Sequence, residues 1–188
     1  TTYVKTCEVC QRVKPAQSTQ APLRPLPIPS ECWQSMTMDF AFGYPPDLHG
    51  NTGVVVFVDP LSKMVHLAPC KASIDARGTA ELFLAHVFRY HGLPKRIISD
   101  RDPRFTAQFW QCLFQVLGTQ LSMSTTDHPE TDGQSERVIR VVEDVIRSLC
   151  DAQPTKWSDL LVFVEFALNN SIHASTGYSP FYVNGLRA

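Results

Sequence analysis

SMTMDFAFGYPPDLHGNTGVVVFVDPLSKMVHLAP, residues 35–69, is the stretch on which the reading of the fold turns. In its first eight residues Met36, Met38, Phe40 and Phe42 alternate with Thr37, Asp39 and Ala41, the period-2 signature of a half-buried strand with Asp39 on its polar face. Turn-formers follow, then Val54 to Val58, then Asp59-Pro60-Leu61-Ser62, then Lys63 to Pro69. Three strands joined by connections this short predict an antiparallel meander.

Downstream the period lengthens. Asp75 to Tyr90 carries Ala76, Leu82, Phe83, Ala85, Val87 and Phe88 at helical spacing and is stopped by His91-Gly92-Leu93-Pro94. Arg96 to Asp100 reads as a short strand, Thr106 to Leu117 as a helix ended by Gly118, and Gln120 to Met123 as a fifth strand. Gln134 to Cys150 places Val138, Val141, Val142, Val145 and Leu149 on one helical face, and a last helix spans about Lys156 to Asn170. The order β-β-β-α-β-α-β-α-α predicts an α/β domain with a five-stranded mixed sheet flanked by helices: three antiparallel strands, then crossover-connected ones.

Composition narrows the rest. At 188 residues, 44% hydrophobic and 19% charged, the chain suits one ordinary globular domain plus a short appendage and argues against wholesale disorder. No apolar run approaches the ~20 residues that cross a bilayer, so no membrane partner is expected. A net charge of −1 lends no global support to nucleic-acid binding, which must be argued from local placement. Five of the 14 prolines fall between Pro15 and Pro29, which marks 15–29 as a semi-rigid linker between a segment at 1–14 and a main domain at 30–188. The chain starts at Thr1 without a visible leader and reads as an excerpt. Its six cysteines are too sparse for a disulfide framework, so reduced thiols in a cytosolic or nuclear setting are expected.

Three acids stand out by position. Asp39 lies on the first strand, Asp100 ends the fourth, where open α/β sheets place ligands, and Glu136 falls in the first turn of a helix. If the first and fourth strands are neighbours and the helix start crosses their ends, three carboxylates converge. Such a cluster repels itself unless cations hold it together, and Mg²⁺ takes oxygen ligands of this kind. Two such ions ~3.5–4 Å apart suit an in-line phosphoryl displacement. The structural alternative stays open on spacing alone: Asp39 capping a turn, Asp100 starting the Asp100-Arg101-Asp102-Pro103 turn, Glu136 pairing with Arg140.

Several segments in order carry a resemblance: Cys7-x-x-Cys10-Gln11, MDF at 38–40, VDPLSKMVHLAPC at 58–70, HGLPKRIISDRDPRF at 91–105, STTDHPETDGQSERVIRVVEDVIR at 124–147, and WSDLLVFVEFALNNSIHASTGYSPFYVNG at 157–185. The chain resembles the integrases of retroviruses and long-terminal-repeat retrotransposons, most of all the gypsy (Ty3-like) branch. Members carry an Asp…Asp…Glu triad with 35 residues before the Glu, and residues 101 through 135 supply that count here. The resemblance implies a ribonuclease-H-like fold, Asp39, Asp100 and Glu136 as ligands of two Mg²⁺ (or Mn²⁺) ions, and polynucleotidyl transfer: trimming of a 3′ end of element DNA, then attack of the freed 3′-OH on target DNA. It also implies a homo-oligomer acting on double-stranded element ends and target DNA in the nucleus, assembled in the cytoplasm.

Other acids fit less well. Asp59 and Asp102 each precede a proline, and Asp127, Glu130 and Asp132 lie in a loop freed by Gly133. Glu130 departs from the Gln more usual there in the gypsy branch. By the same resemblance Cys7 and Cys10 are half of a His-His-Cys-Cys zinc module. Tetrahedral zinc needs four ligands, and His49, His66, His86, His91, His128 and His173 stand in other contexts, so Zn²⁺ is expected only in the full-length protein. Local bases offer DNA contact: Arg137 and Arg140 beside Glu136, Arg101 beside Asp100, and His128 and Gln134 from the loop, with solvent-facing or capping roles as the alternative. Trp110 and Trp157 read as core anchors; Trp33 suits either a core or a stacking role. Rival functions are a host-captured DNA- or chromatin-binding protein without catalysis and a ribonuclease-H-type nuclease.

Overall fold

The alternation at residues 35–42 does produce a strand, β1 (Ser35–Phe42), and the two runs after it form β2 (Gly53–Val58) and β3 (Val65–Cys70). The computed structural model describes residues 29–99, 103–118, 133–149 and 154–185. β1 runs antiparallel to β2 with Asp39 opposite Val56, and β2 antiparallel to β3 with Val56 opposite Leu67. β4 (Arg96–Ile98) lies parallel to β1, Thr37 opposite Ile98, giving the order β3-β2-β1-β4. Meander and crossover both match the expectation. The described sheet has four strands rather than five; the segment expected to form the fifth, 120–123, lies outside the described residues.

Helices cover the sheet. Asp75 accepts the Gly78 N–H at 2.8 Å and starts α1 (Ala76–Phe83). The helical path continues through a π-helical turn, Leu84–Phe88, into α2 (Arg89–His91) and ends at Gly92, whose φ of 76° suits glycine. The expected single helix is therefore there, but its wider turn changes the phase of the residues beyond it. α3 (Pro103–Val116) precedes Gly118 at φ 67°, and α4 (Gly133–Leu149) follows. A 3₁₀ turn, Pro154–Lys156, leads into α5 (Trp157–Asn170), and a short α6 (Pro180–Val183) starts where Ser179 Oγ accepts the Tyr182 N–H.

The sheet is buried on both faces, and this corrects the half-buried reading of β1. One face, with Met36, Met38, Val55, Phe57 and Ala68, packs on Ala80, Phe83 and Val87 and on Phe109, Trp110 and Leu113 of α3. The other, with Val54, Val56, Val58, Val65 and Leu67, packs on Val142 and Ile146 of α4 and on Trp157, Leu161 and Val164 of α5. Thr37, Asp39 and Ala41 point into this second layer, so the face read as solvent-facing is roofed by helices. On α4 the buried stripe takes in Ile146 and leaves Val141 45% exposed, a rotation from the expected face. Each fully buried Val, Leu or Phe is worth roughly 1.5–3 kcal/mol, and the two layers hold the sheet from both sides. Among the described residues no helix is long and apolar enough to cross a membrane.

Candidate functional site

Asp39 stands in the middle of β1, 9% exposed, with Val56 beside it on β2. Its Oδ1 accepts the Phe40 N–H at 2.7 Å. A carboxylate this buried among valines is costly unless its charge is met, and its oxygens are donors of the kind hard cations take. α4 packs across β1 and β2 on the same face, and Glu136 lies in its first turn. β4 runs alongside β1 as far as Ile98, two residues before Asp100. β1 is thus flanked by β4 and covered by α4.

The side chains divide. Asp100, Arg101, His128, Cys7 and Cys10 lie outside the described residues, and Gln134 and Glu136 are placed only by their helix. Arg137 and Arg140 are both exposed on α4. Among the described residues no group of three or more His, Cys, Asp or Glu side chains gathers to hold a metal ion.

Two other acids are explained structurally. Asp59, fully buried, closes its own turn by accepting the Leu61 and Ser62 N–H groups at 3.2 and 3.1 Å and the Ser62 hydroxyl at 2.6 Å. Asp47 accepts from the His49 and Asn51 backbone at 2.8 and 2.7 Å and from the Asn51 amide at 2.9 Å. Burial alone would raise the Asp47 pKa, but hydrogen bonds from Ser158 and Asn51 and from these amides outweigh it and hold the carboxyl well below the usual range. Trp157 Nε1 donates to the Pro45 carbonyl at 2.7 Å, so the β1–β2 loop is pinned to the start of α5.

A junction that sequence reasoning missed lies at β3. Asn169 on α5 accepts the Val65 N–H through Oδ1 and donates to the Val65 carbonyl through Nδ2, both at 2.8 Å. One turn earlier, Glu165 accepts the Leu67 N–H at 2.8 Å and pairs with His66 Nδ1 at 2.9 Å. His66 Nε2 meets His91 Nε2 at 2.9 Å, and the Trp33 ring stacks on His91 with centroids 4.3 Å apart. Trp33 is therefore a core anchor, as Trp110 and Trp157 are. Glu165 is the single acid in the apolar middle of α5, 160–168, but that placing names no partner on β3.

Thiols and bases complete the surroundings. Cys32, Cys70 and Cys112 are thiols rather than disulfides; burial, then the Asp59 carboxylate, push the Cys32 thiol up. Burial, then the charges of Lys63 and Arg137, push His173 down.

No protein-family model matches the chain. Among solved structures it is similar to the integrase catalytic core of HTLV-2 in complex with magnesium (TM-score 0.60, 17% identity, 84% of this chain and 97% of that one). It is also similar to a chain of the simian T-cell lymphotropic virus intasome in complex with PP2A regulatory subunit B56 gamma (TM-score 0.68, 16% identity, 99% of this chain and 66% of that one). The fold is that of retroviral integrase catalytic cores. In sequence, the chain is 37% identical over 182 residues, 96% of its length, to the transposon Tf2-3 and Tf2-4 polyproteins of Schizosaccharomyces pombe. It is thus a relative of the Ty3/gypsy-type Tf2 polyproteins, and it spans 14% of their length.

Proposed function

We propose that this chain is the catalytic core of a retroelement integrase, a polynucleotidyl transferase joining element DNA to target DNA. One observation carries the reading: a buried carboxylate, Asp39, on the sheet face that α4 covers, with Glu136 in the first turn of that helix and β4 leading toward Asp100 alongside. Asp39, Asp100 and Glu136 would hold Mg²⁺, or Mn²⁺ in its place. The oxygen donor set fits such ions, and bound there they would neutralise charge on a phosphodiester and lower the pKa of an attacking hydroxyl.

The chain's own residues position and neutralise. β1 and α4 carry Asp39 and Glu136 on rigid elements, and Arg137 and Arg140, exposed on α4, would face phosphates along the DNA backbone. Arg101, His128 and Gln134 would add further DNA contacts. Water would first trim a 3′ end, and the freed 3′-OH would then displace in line a phosphodiester oxygen of target DNA, with no covalent protein intermediate. The full protein would carry zinc on Cys7, Cys10 and a preceding His pair, and work as a homo-oligomer on chromosomal DNA in the nucleus.

Labelled element-end DNA tests the proposal. A metal-dependent transfer product supports it, cleavage alone points to a nuclease, and binding without either points to a non-catalytic DNA-binding protein. Asp100→Asn and Glu136→Gln are expected to abolish transfer; unchanged transfer in both would overturn the assignment of the triad.

A further inference from the structure

The chain Glu165–His66–His91–Trp33 links four parts of the molecule that the proposed chemistry does not use. Glu165 comes from α5, His66 from β3, His91 from the end of α2, and Trp33 from the segment leading into β1. Trp33 is 4% exposed, holds a φ of 61° that tryptophan rarely adopts, and donates its indole N–H to Asn184 Oδ1 at 3.1 Å. The lead-in segment is thereby held on a histidine pair on one side and on the residue after α6 on the other.

Proton bookkeeping on the pair is constrained. Glu165 accepts from His66 Nδ1, so with neutral rings His66 Nε2 is an acceptor and His91 Nε2–H must donate to it. One added proton keeps the contact: it enters at His91 Nδ1 as the Nε2 proton crosses to His66, which then donates from both nitrogens, to Glu165 and to His91. A second added proton sets two N–H groups against each other at 2.9 Å, and the contact fails.

We propose that the His66–His91 contact is a proton-counting latch on the lead-in segment: it stays closed with none or one added proton and opens with the second, releasing Trp33 from the core. The groups around it are His66 on β3, Glu165 on α5, His86, Arg89 and Tyr90 on the helical run that carries His91, and Cys32 and Asp59 near Trp33. Burial, and then the His66 charge, push His91 down to about 4, which separates the second proton from ordinary conditions.

The test is an acid titration of the 188-residue chain from about pH 7.5 to about pH 3.5, following imidazole ¹⁵N signals and the three indole N–H resonances by NMR. The expected result is a Trp33 indole signal that stays put through the first ring titration and is lost with that of His91, while Trp110 and Trp157 hold. Movement of Trp33 with the first proton, or of all three indoles together, overturns the latch. His91→Gln, which cannot take the second proton, should keep Trp33 closed at that acidity, and a Trp33 signal lost there as in the parent chain overturns it too. If that variant does not fold, the parent titration still decides.

Discussion

The two faces of one sheet differ in kind. Toward α1 and α3 the strands present Met36, Met38, Phe57 and Ala68 to Phe83, Phe109 and Leu113, a continuous apolar contact with aromatic rings edge to face. Toward α4 and α5 the same strands present valines, and among them one carboxylate, Asp39. Both layers are buried, so burial does not separate structure from chemistry. The polar groups do: toward α1 and α3 the strands seat a histidine, His66, at the β3 edge beside His91, whereas the other face seats a carboxylate among valines, a charge that packing alone would remove.

Substitutions on the two faces should therefore fail differently. Phe57→Ala, at a fully buried site on the aromatic face, should cost about 3–5 kcal/mol in denaturant unfolding, and any transfer activity should fall only with the folded fraction. Asp39→Asn should do the reverse, lowering strand transfer on the order of 10²–10³-fold while leaving the unfolding midpoint nearly in place. A large loss of stability in Asp39→Asn would mean that its carboxylate serves the fold, and the contrast would collapse. Asn169→Ala should cost about 1–3 kcal/mol by leaving the backbone groups of Val65 unpaired, read by the same melt. Asp75→Ala, on the surface of the aromatic side, should cost about 1 kcal/mol through its lost cap.

Acid adds a test that weights neither face. His91 sits below its ordinary value of 6.5 in the folded chain, so the unfolded chain binds its proton more readily between that value and about 4. Stability is then highest above about pH 6.5, falls as pH drops toward 4, and loses nothing more from this group below that. A thermal midpoint flat across that window would contradict the burial of His91.

Much of the architecture was legible. Alternation at Met36 to Phe42, the turns at 43–52 and 59–64, and the stops at Gly92 and Gly118 gave the meander, the crossover and the helix limits, because each is a local rule. The roof over Asp39 was not legible: period-2 alternation says that Thr37 and Asp39 share a face, not that α4 will be laid on it. The pairing of β4 with β1 was legible; the placing of α4, which packs on β1 and β2, entered only as a condition for three carboxylates to converge. Glu165 and Asn169 escaped because their partners are backbone groups of Val65 and Leu67, about a hundred residues earlier in the chain, and no pattern within α5 points to them. The π-turn at Leu84–Phe88 left no mark in composition or spacing.

The Asn169 amide presents to Val65 the same donor and acceptor that a neighbouring peptide unit would. With Glu165 capping Leu67 beside it, the outer rim of β3 is occupied along the stretch where an extra strand would otherwise be recruited. Copies of this chain therefore cannot lengthen the sheet by annealing at Val65 to Leu67.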